Sequence, residues 1–471
     1  MNKLPDIKTQ FPEWYQEVIY QAELTEQSPV RGCVVIRPYG TAIWESIKGI
    51  MDKKIQDTGH ENAIFPLLIP ESFFKKEAEH VEGFAPELAV VTHAGGKELS
   101  EPLVIRPTSE TMVHHMFAKW IKSWRDLPLK INQWANVMRW EMRPRAFLRT
   151  SEFFWQEGHT AHTTKEEAQE EALLMLGEYK DLAENYLAIP VFTGQKSEGE
   201  KFPGADATYT FEAFMPDGKA LQMGTSHMLS QNFAKAFDMK FQDKEGNLSF
   251  PWLTSWGCTT RLVGATIMMH GDEKGLILPP KIAPHQVVII PIYRSDEEKE
   301  AVLQKAQDIK KSFSGSVRVH IDTDDTKKPG HKFFHWEMKG VPLRMELGPR
   351  DLNNNECVVA NRLTGEKETL SLDNLKTVLP EKLEAFQKQL FDAAQEKLTA
   401  MVCDQEKLSD IIAASEKGGV AHTGFCETAE CEKVLKQHKL SIRCLLDTQK
   451  MSACFNCDTP SSTDCLIARS Y

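Results

Sequence analysis

Residues 139–159, RWEMRPRAFLRTSEFFWQEGH, string four arginines, paired aromatics and three carboxylates along one short stretch. Arg139, Arg143, Arg145 and Arg149 carry planar, permanently charged forks that fit phosphate and carboxylate oxygens. Phe153, Phe154 and Trp155 add flat apolar faces on which a base or a small ring can rest. Such a stretch is suited to holding a polyanion, although alone it would read as a solvated basic hairpin over ordinary core aromatics. Three further strings change that balance. RPTSE at 106–110 offers the Thr108 hydroxyl and the Glu110 carboxylate to an ammonium. LQMGTSH at 221–227 offers Gln222, Thr225 and His227 as neutral hydrogen-bond partners, and SWGCTTR at 255–261 ends in another fork, Arg261. Each string alone is a turn or a capped strand end; together they supply what a site for an anion beside an ammonium requires.

A second cluster has different chemistry. Cys426-x4-Cys431 and Cys454-x2-Cys457 make two short knuckles separated by a loop, the spacing by which thiolates close a tetrahedral zinc site. His422 and Cys465 are spare candidates should one cysteine not be a ligand. Four protein ligands leave no open position, so the metal would be structural and would staple a tail too small for a good core. Other residues are decoys. Lys450, Met451 and Ser452 spell KMS by chance, His162 is expected on a surface turn, and Met268, Met269 and His270 read as core and a helix end.

These residues need elements to position them. LVIR at 103–106, WANVMRWEM at 134–142, FLRTSEFFWQEGH at 147–159 and TYTFEAF at 208–214 read as strands of an antiparallel sheet, so the arginines lie on strand, loop and strand. Thr164 with Glu167 forms a capping box in front of a long helix. Three prolines in LPPKIAPHQ, 278–286, read as a linker, after which HQVVIIPI, a helix capped by Ser295 and Glu298, VRVHI, VPLRMEL and ECVVA alternate as a small α/β unit. Pro380 is expected to open a helix whose Leu383, Phe386, Leu390, Ala394 and Leu398 share a face.

With 471 residues, 41% hydrophobic and 26% charged, the chain is globular and roughly two to four domains long. No apolar run reaches the roughly eighteen residues of a membrane span, and the start lacks the pattern of a signal peptide, so a cytoplasmic location with no membrane partner is expected. The net charge of −11 argues against a non-specific nucleic-acid binder but leaves room for a specific one docking on local basic patches.

VRGCVVIRPYGTAIWESI, FAPELAVVT, RPTSE, VMRWE, FLRTSEFFWQEGHT, LQMGTSH, SWGCTTR, HGDEKGLILPPKIAP and PLRMELGPRD closely resemble class II prolyl-tRNA synthetases, over nearly the whole chain. More narrowly the chain resembles the archaeal and eukaryotic type, which has a C-terminal zinc domain and lacks a long editing insertion; 160–221 is too short to hold one. The resemblance implies an α+β fold. Residues 1–283 would form the class II antiparallel-sheet catalytic domain, 284–395 an α/β anticodon-binding domain and 396–471 a small α/β zinc-binding domain.

It also implies proline–tRNA ligase activity with ATP, Mg²⁺ and structural Zn²⁺, and L-proline and tRNA(Pro) as partners. A homodimer is implied because strings of the IRPYG type usually lie at a dimer interface. By resemblance, Arg139 contacts the α-phosphate and the substrate carboxylate, Glu141 the adenine amino group and Phe153 the adenine ring, while Arg149 and Arg261 hold the outer phosphates. Thr108 and Glu110 resemble the loop that binds the prolyl nitrogen. Phe84, Trp155, Glu157 and His159 resemble the proline-pocket walls, and Gln222, Thr225 and His227 the ribose and pocket contacts. Glu337, Arg344, Glu346 and Arg350 stand where the family reads anticodon bases, and the metal ligands are Cys426, Cys431, Cys454 and Cys457. Asp458 and Thr459 replace the family's usual glycine and lysine, Ser230 stands where glycine is frequent, and the chain ends in Tyr471, whose carboxylate in the family lies near the active site. A threonine-specific synthetase would place metal-binding Cys and His in the pocket, where Trp155, Glu157 and His159 stand here. A non-catalytic paralogue would usually lose the ATP-contacting arginines, and all three are present.

Overall fold

The computed structural model describes residues 3–74 and 88–471. Its centre is an antiparallel run of six strands in the order Phe192–Gln195, Ala207–Phe214, Ala220–Ser230, Trp252–Thr259, Glu152–His162 and Leu129–Met138. Leu129–Met138 and Glu152–His162 pair from Met138 opposite Glu152 to Leu129 opposite Ala161. The pleat sends alternate residues to opposite faces, which puts Phe153, Trp155, Glu157 and His159 on one side. Both strands are shorter at the arginine-rich end than the sequence suggested, because residues 139–151 form a loop that exposes Arg143, Arg145 and Arg149 and tucks Phe147, Leu148, Thr150 and Ser151 inward.

The other face of this sheet is covered by helices. Lys165–Asp181 begins at the expected capping box, with the Thr164 hydroxyl accepting from the Glu167 N–H and the Glu167 carboxylate accepting from the Thr164 N–H. It buries Ala172, Met175 and Tyr179, the last stacked on Phe211 with ring centroids 5.2 Å apart. Arg261–His270 follows the strand Trp252–Thr259 directly, and its apolar length is buried together with Trp14, Trp44 and Trp256 in the largest core cluster. Met268, Met269 and His270 are core, as expected. His162 is not on a surface turn: it ends the strand Glu152–His162 at 3% exposure, and burial lowers its pKa to about 4.

A five-stranded mixed sheet follows, ordered Val319–Ile321, Val287–Pro291, Leu343–Leu347, Glu356–Asn361, Lys367–Ser371. Val287–Pro291 lies inside it, parallel to both neighbours. Val287 and Ile289 face one cluster while Val288 and Ile290 face Trp336, so the strand is apolar throughout rather than alternating. The proline-rich 278–286 stretch is irregular, as its prolines require, but Leu278, Ile282 and Ala283 are fully packed rather than exposed as in a free linker.

The long helix runs Leu375–Met401, with Pro380 inside it rather than opening it. Burial of Leu375, Leu379 and Leu383 in the five-stranded sheet's core holds the first turns in spite of the missing N–H. Beyond it, Val402–Asp404, Val420–Phe425, Thr463–Ala468 and Ser441–Leu446 do not form a sheet of their own. They extend the central sheet through Leu445 paired with Gln195, and with the short strand Glu61–Asn62, parallel to Leu129–Met138 at the opposite edge, the sheet has eleven strands.

Candidate active site

The pleat face carrying Phe153, Trp155, Glu157 and His159 forms one wall of a cavity of about 440 Å³. All four strings singled out in the sequence converge on it: Thr108 and Glu110, Arg139 and Arg149, Gln222 and Thr225 with His227, and Arg261. The segment 106–110 is laid along the end of the neighbouring strand by Arg106, whose Nε donates to the Asn136 carbonyl at 2.8 Å and whose carbonyl accepts from the Met138 N–H at 3.0 Å. Arg139 spans the two, its Nε donating to the Pro107 carbonyl at 3.0 Å while its guanidinium lies 5.6 Å from the Phe153 ring and 5.4 Å from Trp155.

Glu157 is buried at the base of the cavity and is fully answered. Its Oε1 accepts from Ser109 Oγ at 2.5 Å and Gln133 Nε2 at 2.7 Å, and its Oε2 lies 3.2 Å from both the Ser109 N–H and His159 Nε2. Burial alone would raise the carboxyl pKa, but the hydrogen bond and charge of His159, with Ser109 and Gln133, bring it below its ordinary value. Burial pulls His159 down, yet Glu157 and then Glu110 outweigh it and raise the imidazole above its ordinary value. The Thr108 hydroxyl donates to Glu110. Across the cavity, the His227 ring is fixed by the Thr208 and Thr225 hydroxyls, each at 3.0 Å, with Phe202 packed over it at 4.4 Å.

The opposite end is cationic. Arg261 opens the helix Arg261–His270 and donates from Nε to the Leu148 carbonyl at 3.2 Å and from Nη1 to the Gln222 carbonyl at 2.9 Å. Burial, then the charges of Arg149 and Arg139, lower its pKa to about 10. Arg149 is more exposed and lies 3.5 Å from Glu141. Trp155 Nε1, His159 Nδ1 and Ser255 Oγ are buried in the cavity wall with no partner among the described residues, as in a site that awaits a polar ligand. Phe84 lies outside the described residues.

Sequence reasoning missed Ser109, Gln133, Thr208 and Phe202. Gln133 was within reach, since a strand paired antiparallel to Glu152–His162 sets it opposite Glu157. Ser109 and Thr208 act through hydroxyl bonds that only the fold brings together.

In the second sheet, Arg344 and Glu346 share a face of Leu343–Leu347 and pair at 3.2 Å, with Arg344 stacked 4.3 Å from the Phe333 ring. Arg344 and Glu337 line one small hollow, whereas Arg350 stands apart from it, exposed on the short helix Pro349–Asn353.

The four cysteines meet. The Sγ atoms of Cys426, Cys431, Cys454 and Cys457 lie within 4.8 Å of one another, those of Cys426 and Cys457 at 3.7 Å. A tetrahedron of thiolates at zinc–sulfur bonds of about 2.3 Å has edges near that length. His422 is instead engaged by Asp404 and Asp464, and Cys465 is buried outside the group, so neither spare candidate joins it. Asp458 has φ +55° and Ser230 has φ +53°, so both departures from glycine occupy left-handed backbone; aspartate tolerates it better than serine. The chain end reaches the site's margin: the Tyr471 N–H donates to the Ala220 carbonyl at 3.2 Å, on the strand that carries Gln222.

Family models match the chain in three places: a tRNA synthetase class II core domain (G, H, P, S and T) at residues 92–270, an anticodon binding domain at 286–382, and the prolyl-tRNA synthetase C-terminal domain at 408–471. Proline–tRNA ligase of Chloroherpeton thalassium is 52% identical over 94% of this chain and 92% of its own length, and that of Chlorobium phaeobacteroides is 49% identical over the full length of both. A crystal structure of prolyl-tRNA synthetase from Cryptosporidium parvum, complexed with halofuginone and AMPPNP, superposes with a TM-score of 0.94 at 42% identity, covering 99% of each chain. With a cationic cavity on an antiparallel sheet and similarity of this depth from end to end, the chain belongs to the class II prolyl-tRNA synthetases.

Proposed function

We infer that this chain is a proline–tRNA ligase, which activates L-proline with ATP to prolyl-adenylate, releasing pyrophosphate, and transfers the prolyl group to the 3′ end of tRNA(Pro). The observation that carries this is the meeting, in one cavity, of three crowded guanidiniums with an aromatic-walled recess lined by Glu110, Glu157 and His159.

The substrate carboxylate is already a nucleophile, so its attack on the α-phosphate needs placement and charge neutralisation rather than a general base. Arg139 bridges substrate carboxylate and α-phosphate, Arg149 and Arg261 take the outer phosphates, Phe153 and Glu141 receive the adenine, and Gln222 and Thr225 the ribose. Thr108 and Glu110 accept the prolyl ammonium while Trp155, Glu157, His159 and His227 shape the recess for its ring. Phe84 completes the recess in this reading. Mg²⁺, when bound with the nucleotide, supplies further neutralisation of phosphate charge, and Glu200 and the Gln222 amide are oxygen donors on the wall that suit it.

Residues 1–283 are the catalytic domain, 284–395 the anticodon-binding domain, in which Glu337, Arg344, Glu346 and Arg350 read tRNA, and 396–471 the domain whose four cysteines bind structural Zn²⁺, as in the archaeal and eukaryotic type. The homodimer implied by the IRPYG string belongs to the same reading. Ten unpaired cysteines agree with action in the reducing cytoplasm. The test is ATP–pyrophosphate exchange across the twenty amino acids. Exchange with proline is expected, and preference for another amino acid, or none, refutes the assignment.

A further inference from the structure

Apart from the residues given roles above, one buried charged cluster reaches the cavity from the C-terminal part of the chain. Lys196, on the cavity wall, donates its Nζ to Glu212 Oε1 at 2.7 Å and to the Arg443 carbonyl at 2.8 Å. Arg443 donates to Glu212 Oε2 from Nε at 3.2 Å and Nη2 at 3.0 Å, and the Thr210 hydroxyl donates to Oε1 at 2.8 Å. All three charged side chains are buried. They sit on the sheet face that bears the site, for Thr210 is opposite Thr225 and Glu212 opposite Gln222.

The next residues carry the link onward. Ser197 Oγ donates to Glu432 Oε1 at 2.5 Å, and Gly199 lies so close that a Cβ there would be 2.8 Å from Glu432 Oε2. Phe202 then covers the His227 ring. Residues 196–202 therefore run from two anchors in the C-terminal part, Arg443 and Glu432, to the pocket wall. A buried ion cluster gains little over apolar packing for stability alone, whereas its directional bonds fix geometry. Two cations on one carboxylate also leave a net positive charge beside the anion site.

We propose that Arg443 is a positioning residue for adenylate binding: by clamping Glu212 it fixes Lys196 and the segment 196–202 that walls the cavity. This rests on the ligase reading. The probe is 5′-O-(prolylsulfamoyl)adenosine, a stable mimic of prolyl-adenylate, titrated calorimetrically against the full chain. Arg443→Gln should bind it about ten- to a hundred-fold more weakly, since a small misplacement of a positioned group costs this much. Arg443→Lys, which keeps the charge but not the fork, should recover part of the loss. Leu466→Ala removes packing from the adjoining apolar cluster of Phe214, Val420, Cys444 and Leu466, and should lower the melting temperature with affinity held within about two-fold. Wild-type affinity in Arg443→Gln, or a loss no greater than Leu466→Ala shows at matched melting temperature, overturns the proposal. If Arg443→Gln does not fold, wild-type affinity in Arg443→Lys overturns it. Failure of the unaltered chain to bind the mimic refutes the ligase reading instead.

Discussion

Glu157→Gln removes one charge from the base of the cavity while keeping the side chain's shape, and the structure sets what that should cost. If the new amide nitrogen takes the place of Oε2, it faces the Ser109 N–H; if it takes the place of Oε1, it faces Gln133 Nε2. Gln133 cannot turn its own amide to help without giving up the 2.6 Å bond its Oε1 accepts from the Phe65 N–H. One buried donor is left opposed in either orientation, which costs about 1–3 kcal/mol. That cost falls on stability, and the displacement of a pocket-wall side chain that relieves it should lower kcat/KM for proline in pyrophosphate exchange roughly ten- to a hundred-fold.

The pair also predicts a pH dependence. His159, raised above its ordinary 6.5, contributes stability that is complete below 6.5 and is lost as pH rises through its folded value. Glu157, lowered below 4.5, contributes above 4.5 and loses its contribution as pH falls through its folded value. The contribution of the two is therefore complete between 4.5 and 6.5 and declines on the alkaline side. Urea midpoints measured from about pH 5.5 to about pH 8.5 should show a decline in the wild type that is flattened in Glu157→Gln. An unchanged kcat/KM for proline together with parallel pH curves would refute the reasoning.

Arg344→Ala removes the fork stacked on Phe333 and, if Arg344 reads an anticodon base as proposed, should spare proline activation while costing tRNA charging about 1–3 kcal/mol of discrimination at that base. Equal loss of exchange and charging would argue against that role. Chelation should release about one zinc per chain and loosen the last strands, because metal binding and folding are linked in a segment so small. Metal analysis of purified protein that finds none would make the four cysteines ordinary thiols. Ser230→Gly should raise the urea midpoint by about 1 kcal/mol of stability, since it relieves a left-handed backbone and removes a buried hydroxyl with no partner among the described residues. A lowered midpoint would show that the serine is strain-free.

What was legible in the sequence is what local rules decide. The alternation of Phe153, Trp155, Glu157 and His159 follows from strand period alone, and the capping box at Thr164 and the N-cap at Ser295 fix helix starts within a few residues. The cysteine knuckles are equally local, and their convergence needs only a short loop between them. What was not legible depends on tertiary partners. His162 looked solvated because its neighbours in sequence are polar, but Thr160 and the covering helix enclose it. Pro380 looked like a helix start because a proline favours the first turn, yet apolar burial on both sides of it prevails. Lys196 and Arg443 are separated by most of the C-terminal half, and no spacing links them.

The placement of cations resolves an apparent conflict, since a chain of net charge −11 must still attract a triphosphate. Two of the cations outside the phosphate end are answered by carboxylates: Arg443 by Glu212, and Arg362 by Asp272 through two bonds of 2.6 and 2.9 Å. In the cavity, backbone carbonyls do part of the aiming, Pro107 for Arg139 and Leu148 with Gln222 for Arg261. A carbonyl orients a guanidinium without cancelling its charge, and burial, with the neighbouring charges of Arg149 and Arg139, lowers the pKa of Arg261. An entering polyanion offsets those charges and finds its donors already in place. Electrostatic stabilisation of charge developing on the phosphates then requires little reorganisation at the moment of reaction. The acidic remainder of the surface disfavours non-specific adsorption of nucleic acid without weakening this enclosed field.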